Sequence, residues 1–501
     1  MTNNKFHVAI LSVLLLPCVV IAQDDKVATV EFENPLDQTV PVADEPNPDD
    51  TSADASSAAE ADATGDEVSE EMLLEEFARY RRLVGTGTLD EADIAAKRIV
   101  EMAIKIYGPR SRETASALNN LGIVQHSNKQ YDAAIQNFRS AVEIIEFTED
   151  RLNDALINPL KGLGAAQLAI GRPDRARQTF ERAAHITHVN DGPHNIDQVE
   201  ILESLVETYI RMGDPKSARD ILDRIHIVNV KFFEQDPMGL LPTLMTRADW
   251  QHRAGYYADE RITYRRTIRI IESSQGKNSP LLVEPLRRLG ESFYFVDMSM
   301  ATVQQQGTVS SGEAYFKRAV RIAENAEELD WRESARTRMA LADYYNYTNS
   351  QNRARTMYSQ TWDFLSADPE RIVLRDELFT NPSPIREDPL PIFAGRGQIG
   401  EVPPDELLKG KVTVIYNVTS RGRIRDLRTE VDPPEFTDMQ AVVHREVRRR
   451  MFRPRFVNGD PVDANDLVFE HEFAYTQADQ CGAGGHGQQD SACCVGPAQS
   501  R

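Results

Sequence analysis

The sequence predicts a mainly α protein: an α-solenoid followed by a small α+β domain with a three-stranded antiparallel sheet and one helix. Between about residues 73 and 368, a pattern of small and large apolar residues recurs every 42 positions, which indicates a helical repeat. After Gly410, apolar residues alternate with polar ones, which is typical of strands. A chain of 501 residues with 41% hydrophobic residues is long enough to build both parts.

Residues 1–22 have the composition of an export signal. Lys5 precedes the apolar stretch 8–22, and Val20-Ile21-Ala22 places small residues where a signal peptidase cleaves. This stretch is shorter than the roughly 20 apolar residues that span a membrane. We therefore expect a mature chain beginning at Gln23, and an uncleaved membrane anchor is the alternative.

Residues 23–72 are predicted to form an acidic, disordered linker. Residues 24–71 contain sixteen Asp or Glu and a single Lys, Lys26, and so carry −15 of the net charge of −21. Such a segment cannot bury enough apolar surface to fold, and its charges repel one another into an extended tether. The acidity of the chain also argues against general binding to a nucleic-acid backbone, which requires clustered Lys and Arg.

The repeat is clearest around Leu121-Gly122, Ala134, Phe138 and Ala141. The equivalent residues one and two periods later are Leu163-Gly164, Ala176, Phe180 and Ala183, and then Leu205-Val206, Ala218, Leu222 and Ile225. Small residues let two helices approach closely, and the aromatic residue fills the gap to the next hairpin. The pattern predicts seven stacked helical hairpins over 73–368, with an inserted loop at 298–312.

These positions resemble the tetratricopeptide repeat (TPR), and the 42-residue period resembles its longer, kinesin-light-chain type. The resemblance implies a concave surface, lined by the first helix of each hairpin, that binds a protein or peptide. The carboxylate clamp of the family is absent, because Ala165 stands four residues after Lys161 where an Asn is needed. The residues expected to face the ligand are Asn119, Ile123, Lys161, Glu203, Glu207, Arg287, Glu291, Met339, Asp343 and Asn346.

A proline-rich stretch, residues 369–400, is predicted to be a semi-extended spacer. It leads into a C-terminal domain at 401–476. There, alternating apolar residues predict strands at 411–419, 423–431 and 467–475, and a three-to-four-residue spacing predicts a helix at 436–452.

Several short motifs of this domain, taken in order, resemble the TonB C-terminal domain over about 75 residues. They are G-K-V-x-V-x-Y-x-V from Gly410, F-R-P from Phe452, N-G-x-P-V from Asn458 and V-F-x-x-x-F from Val468. The resemblance implies docking to an outer-membrane transporter, which would add a strand to the edge of the sheet. The last strand, 467–475, is the expected edge.

The segment Phe452-Arg453-Pro454-Arg455-Phe456, named here the FRPRF segment, follows the predicted helix. Phe452 and Phe456 are expected to fill the core between helix and sheet, and Asn458-Gly459 to form the turn before the last strand. Residues 409–456 contain twelve Lys or Arg and six Asp or Glu, which indicates either a contact for an acidic partner or a solvated basic face. The residues expected to contact a partner are Arg448, Arg449, Arg450, Arg453, Arg455, Phe469 and Phe473.

Residues 477–501 are predicted to be a disordered tail rich in Cys and Gly. In an oxidising compartment, Cys481 can form a disulfide with Cys493 or Cys494. Metal binding by these residues with His486 is the alternative, although they lack a regular metal-ligand spacing.

The sequence contains none of the common catalytic motifs, so we expect a protein that is not an enzyme and has no cofactor or bound metal. The prediction is an exported adaptor of the periplasm or cell envelope of a Gram-negative bacterium. It would bind protein or peptide partners, an outer-membrane transporter among them, but no nucleic acid. A membrane-anchored, TonB-type energy transducer is the alternative, and it requires an uncleaved N-terminal segment.

Overall fold

The computed structural model describes residues 68–295, 312–326, 329–388, 390–395, 402 and 406–483. The predicted export signal, nearly all of the acidic linker, the inserted loop up to residue 311, and Cys493 and Cys494 lie outside these ranges. The chain divides into an N-terminal unit, residues up to 170 with 178–190, and a C-terminal unit, residues 171–177 and from 191 onward.

Within the described ranges, helices follow one another as seven hairpins, which confirms the predicted solenoid class. The first helices are α1 (Glu70–Gly85), α3 (Arg112–Ser127), α5 (Ile157–Ala169), α7 (Gln198–Arg211), α9 (Leu241–Arg253), α11 (Val283–Glu291) and α13 (Trp331–Tyr347). The second helices are α2 (Leu89–Tyr107), α4 (Tyr131–Thr148), α6 (Pro173–Asp191), α8 (Pro215–Phe232), α10 (Tyr257–Gln275), α12 (Glu313–Asn325) and α14 (Gln351–Ser366).

The turns inside these hairpins share one backbone feature. Each described turn contains a residue with positive φ just after the first helix, a conformation that ends helices and favours Gly or Asn. Most of these residues are glycines, but Lys129 and Asn349 adopt the same conformation, with φ of 60° and 61°.

Aromatic residues pack on glycines at positions of the repeat pattern, and Phe138 also reaches the next hairpin as predicted. In the N-terminal unit, the ring of Phe138 lies against Gly122 in its own hairpin and against Gly162 in the next one. Phe180 lies against Gly164 of its own hairpin. In the C-terminal unit, Phe316 packs on Gly290. Each of these phenylalanines is fully buried, so the backbones approach only because the glycines have no side chain.

The segment predicted as a semi-extended spacer begins instead with helix α15 (Ile372–Phe379). Phe379 is fully buried against the last hairpin, and Leu374 is also in this core. The prediction gave weight to Pro382, Pro384, Pro389 and Pro391, which follow the helix, whereas Pro369 precedes it. Beyond the helix, β1 (Ser383–Pro384) pairs with β4 (Phe452–Arg453) of the C-terminal domain.

The C-terminal domain has the predicted strand–strand–helix–strand order. Strand β2 (Leu408–Val418) lies between β3 (Ile424–Asp432) and β7 (Ala464–Tyr475) in an antiparallel sheet. Helix α16 (Thr437–Arg449) covers one face. Val412, Val414 and Val418 of β2 form the core of this domain with residues of the helix: Met439, Val443 and Val447.

The FRPRF segment only partly follows its prediction. Phe452 joins the core between helix and sheet, but Phe456 packs in the core of the last hairpin. Phe456 lies in β5 (Arg455–Val457), which forms a small hairpin with β6 (Asp460–Val462). Asn458 and Gly459 form the turn, with φ of 52° and 86°, as predicted.

A short helix, α17 (Gln477–Ala483), ends the described chain. None of the helices in the described ranges is long and apolar enough to cross a bilayer.

Replacing Gly164 by Ala tests the contact with Phe180. A methyl group there would lie 2.6 Å from the ring, so the core must shift, and we expect a loss of about 1–3 kcal/mol in unfolding free energy. Hydrogen exchange of α5 and α6 locates the effect. Gly85→Ala is the control, because nothing lies within 4 Å of its added carbon. Equal effects of the two substitutions would contradict this account of the repeat.

Candidate functional site

The FRPRF segment joins the C-terminal domain to the end of the solenoid. Asn346 of α13 donates a hydrogen bond from Nδ2 to the carbonyl oxygen of Phe452, at 2.9 Å. On the other side, the Phe452 N–H donates to the Gly422 carbonyl, also at 2.9 Å. Gly422 has a φ of 74° and leaves no room for a side chain next to Phe452. The segment is therefore held between the sheet and the last hairpin.

Arg453 forms a buried ion pair with Asp343 of α13. Its Nε and Nη2 donate to the two carboxylate oxygens at 3.1 and 2.6 Å. Tyr358 donates to the same carboxylate at 2.7 Å, and Arg453 Nη1 donates to the Leu378 carbonyl at 3.2 Å. Burial opposes the charge of Arg453, but the carboxylate of Asp343 outweighs it and raises the pKa of Arg453. Both members of the pair thus have a further hydrogen-bond partner, Tyr358 for Asp343 and the Leu378 carbonyl for Arg453.

Phe456 completes the junction from within an aromatic cluster. Its ring makes edge contacts with Phe379 and Tyr358, at centroid distances of 4.7 and 5.4 Å, and stacks near Trp362 at 6.3 Å. Edge contacts of this kind stabilise beyond the buried area alone. Together, Phe456 and Arg453 fix the C-terminal domain to α13, α14 and α15.

A cleft of about 350 Å³ lies beside this junction, in the C-terminal unit. Residues from α9, α11 and α13 line it, together with Leu378, Ile385 and Arg453. Because α9, α11 and α13 are first helices of their hairpins, the cleft lies on the side that was predicted to face a ligand. Four predicted residues line it: Arg287, Glu291, Met339 and Asp343.

Among the arginines of the cleft, Arg287 and Arg453 form ion pairs with carboxylates. The other two do not, as far as the described residues extend. Arg287 bonds Glu291 at 2.9 Å and Glu333 at 3.1 Å. Burial lowers the pKa of Arg287, but these two carboxylates outweigh burial and raise it. Arg288 and Arg336 form no ion pair with any residue in the described ranges. His252 contacts Glu260 at 3.2 Å. The cleft therefore has unbalanced positive charge.

Most of the other predicted groove residues are paired or buried within the chain. Glu207 pairs with Arg211 at 2.7 Å and with Arg253, and Glu203 is half-buried. Asn346 is buried and bonded to the FRPRF segment. The three predicted groove residues in the N-terminal unit, Asn119, Ile123 and Lys161, are all buried. Contact of these residues with a ligand stays a prediction, but the buried ones offer it little surface in this structure.

The predicted basic surface is smaller than expected. Arg448, Arg449 and Arg455 are exposed. The side chain of Arg450 is only 8% exposed, lies 4.6 Å from the ring centre of Phe469 and pairs with Glu387 at 3.6 Å. Phe469 is half-buried.

Two residues predicted to contact a partner lie elsewhere. Arg453 is taken up by Asp343 within the chain, and Phe473 is a core residue against Phe436 and Tyr475. Strand alternation places Phe473 on the helix-covered face. Arg453 departs from its prediction because it pairs with Asp343, which lies 110 positions earlier in the sequence.

The edge of β7 that was expected to accept a peptide strand is partly occupied. The Ala474 N–H donates to the Ile392 carbonyl at 2.8 Å, and the Ala394 N–H donates to the Ala474 carbonyl at 2.9 Å. His471 also contacts the Pro391 carbonyl, at 2.7 Å. A partner strand adding at this end would have to displace residues 391–394.

The sequence prediction missed Tyr294, Arg288 and Arg336, which line the cleft. Arg336 lies three residues before Met339 on α13, so extending the predicted groove by one helical turn would have included it. Tyr294 lies in the short turn after α11, where the repeat pattern gives no position. For Cys481, only its place in α17 is described.

The fold and the cleft define a class: a TPR-like helical-repeat protein with a small α+β domain attached to its last hairpin. Residues 83–146, from the end of α1 to α4, match the family described as Tetratricopeptide repeat. No curated protein matches the chain. The match confirms the repeat family for this part of the chain, and nothing in these comparisons bears on the TonB resemblance.

Solved structures of repeat proteins are similar to the chain at low identity. Kinesin-light-chain-type TPR-like repeats of Podosopora anserina are 16% identical, with 40% of this chain and 96% of that chain covered and a TM-score of 0.37. A tetratricopeptide repeat protein from Parabacteroides merdae is 14% identical, with 61% and 97% covered and a TM-score of 0.34. A Rap protein complexed with competence and sporulation factor is 12% identical, with 61% and 93% covered and a TM-score of 0.27. At this level, the likenesses carry no information on the ligand of this chain.

Substituting Asp343 tests the junction. Asp343→Ala leaves Arg453 buried without a counter-charge, and we expect a loss of about 3–5 kcal/mol in unfolding free energy. Denaturant unfolding monitored by tryptophan fluorescence measures it, since Trp362 lies beside Phe456. The double substitution Asp343→Leu with Arg453→Met should recover most of the loss, because it removes both charges.

The matched control is Arg355→Ala. Arg355 forms an ion pair with Asp460 across the same junction, at 3.1 Å, but both side chains are about 70% exposed. This change should cost less than about 1 kcal/mol. A cost for Asp343→Ala no larger than for Arg355→Ala would show that the buried pair does not fix the junction.

Proposed function

We propose that the chain is an exported, non-enzymatic adaptor of the bacterial cell envelope. Its TPR solenoid binds a protein or peptide, and its TonB-like C-terminal domain binds an envelope or outer-membrane partner. The observation that carries the proposal is the junction, in which Arg453 and Phe456 fix the C-terminal domain beside a cleft on the ligand side of the repeats.

The local structure of the C-terminal domain supports its resemblance to TonB. The motif residues hold the positions that give them a physical role: Phe452 in the core, Asn458-Gly459 in the turn, and Val412 and Val414 on the buried face of the central strand. The partner surface that we favour is the exposed side of α16, at Arg448 and Arg449. It suits an acidic partner, because these arginines carry positive charge into solvent.

Adaptor function is supported by what the described residues offer. The repeats match a family in residues 83–146, and solenoids of this kind present extended surfaces for binding other chains. The buried charged groups of the junction are paired with one another, as expected for a structural contact.

The N-terminus of the mature protein tests export. We expect cleavage after Ala22, so that the intact mass of protein purified from a Gram-negative host corresponds to a chain beginning at Gln23. Leu15→Arg interrupts the apolar stretch and should leave full-length protein in the cytoplasm. An uncleaved chain in the inner membrane would support the anchored transducer, and a purely cytoplasmic wild-type protein would refute export.

Photo-crosslinking in intact cells tests the partner surface. A crosslinking residue at Arg448, which is exposed, should capture an envelope protein from the full chain. The same residue at Val447 is the control, since that side chain is completely buried in the domain core. Capture of cytoplasmic proteins alone, or equal capture from both positions, would contradict the proposal.

A further inference from the structure

We propose that residues 390–394, named here the strap, are an autoinhibitory strand that must leave the edge of β7 before a segment of another polypeptide can pair along that edge. The strap and β7 both lie in the C-terminal unit. The inference rests on the proposed function of the C-terminal domain. It adds a regulation of the sheet edge, which is separate from the partner surface at Arg448 and Arg449.

The strap occupies the edge by pairing with Ala474. It runs parallel to β7, whereas β2, on the other side of β7, is antiparallel to it. The Ala474 N–H donates to the Ile392 carbonyl at 2.8 Å, and the Ala394 N–H donates to the Ala474 carbonyl at 2.9 Å. Both backbone groups of Ala474 are therefore taken, and an added strand would use the same two groups.

Side chains hold the strap in place on both sides of this pairing. Leu390 and Ala394 pack against the core between α16 and the sheet. His471 Nε2 lies 2.7 Å from the Pro391 carbonyl oxygen, which is hydrogen-bond distance. Ile392 differs from these residues, because its side chain is 60% exposed while its carbonyl pairs with β7. Backbone, histidine and apolar contacts thus act together to keep the strap on this edge.

Most of the edge lacks a strand partner. In an antiparallel sheet, successive residues direct their N–H and C=O groups alternately to the two sides of a strand. Val468, Glu470 and Glu472 therefore face the same side as Ala474. Among the described residues, β2 is the only strand of the sheet next to β7, and the strap pairs with Ala474 alone. Three residues of the edge are thus open to pairing beside one that is taken.

This arrangement makes the strap a competitor that a long partner segment can displace. A segment tethered in the same chain has an effective concentration on the order of millimolar, so a free peptide that pairs only as the strap does cannot replace it at micromolar concentration. A strand that covers the whole edge also pairs with Val468, Glu470 and Glu472, and these additional hydrogen bonds offset the advantage of the tether. The strap therefore selects long extended segments over short ones.

Hydrogen exchange of the purified full chain, resolved to single amides, tests whether the strap protects the edge. Leu390→Asp with Ala394→Pro places a charge where Leu390 packs and removes the N–H that Ala394 donates. We expect exchange at Ala474 to become at least about tenfold faster, because its bond to the strap opens more often, while Val414 in the central strand keeps its protection. Ile392→Ser is the control, because it changes an exposed side chain and leaves the bonded carbonyl in place.

A photoreactive peptide tests the competition. The probe has the sequence of residues 388–396, DPLPIFAGR, with benzoylphenylalanine in place of its phenylalanine. We expect it to label β7 at least about tenfold more in the double variant than in the wild type, because the tethered strap already occupies the edge of the wild type. A scrambled peptide of the same composition is the control, and mass spectrometry of the digested protein locates the label.

The inference is overturned if Ala474 exchanges alike in the wild type and the double variant, if Ile392→Ser matches the double variant, or if the peptide labels wild type and variant alike. Ala394→Pro alone repeats the test with a smaller disturbance. Loss of protection at Val414 in this single variant would show that the strap is a structural part of the domain, which also overturns the inference.

These measurements use purified protein, so their outcome does not depend on export or on the surface of Arg448. Failure here would leave the export and crosslinking predictions standing. Conversely, a strap that behaves as expected in a chain that is not exported would refute the cellular placement and keep the autoinhibitory contact.

Discussion

Each helical hairpin of a solenoid has an apolar face that only a neighbour can cover, and the rest of this structure depends on that constraint. Inside the array, the next hairpin covers it, as where Phe138 packs on Gly162. After α14 the array ends, and the exposed face needs another cover. Helix α15 supplies part of it through Phe379, and the FRPRF segment supplies the rest through Phe456. The C-terminal domain thus completes the core of the last hairpin.

The buried ion pair adds specificity to this apolar contact. Aromatic rings alone would tolerate several orientations of the domain, whereas Arg453 must meet both oxygens of Asp343 while Asn346 bonds the Phe452 carbonyl. The net contribution of a buried pair to stability is small, because desolvation offsets much of the attraction. Its effect here is to select one geometry, and that geometry places the end wall of the cleft.

The same contact changes the meaning of several predicted binding residues. Asp343, Asn346 and Arg453 were expected to face other molecules. Instead, Asp343 pairs with Arg453, and Asn346 hydrogen-bonds the FRPRF segment. Arg288 and Arg336, which also line the cleft, form no ion pair with any described residue. A groove surface and an intramolecular docking surface have the same composition, so only the contact itself tells them apart.

The sequence alone determined the local elements. The 42-residue period, the Gly–Phe contacts, the change to a period of two and the Asn458-Gly459 turn all follow from short-range sterics and burial, and each was predictable. Only the tertiary structure decided which residues meet at the junction. Asp343 and Arg453 are 110 positions apart, and no local pattern links an acidic residue on one helix to a particular arginine so far away. The prolines after residue 380 likewise concealed α15, which buries Phe379 on the last hairpin; most of the stability of a short helix comes from such packing.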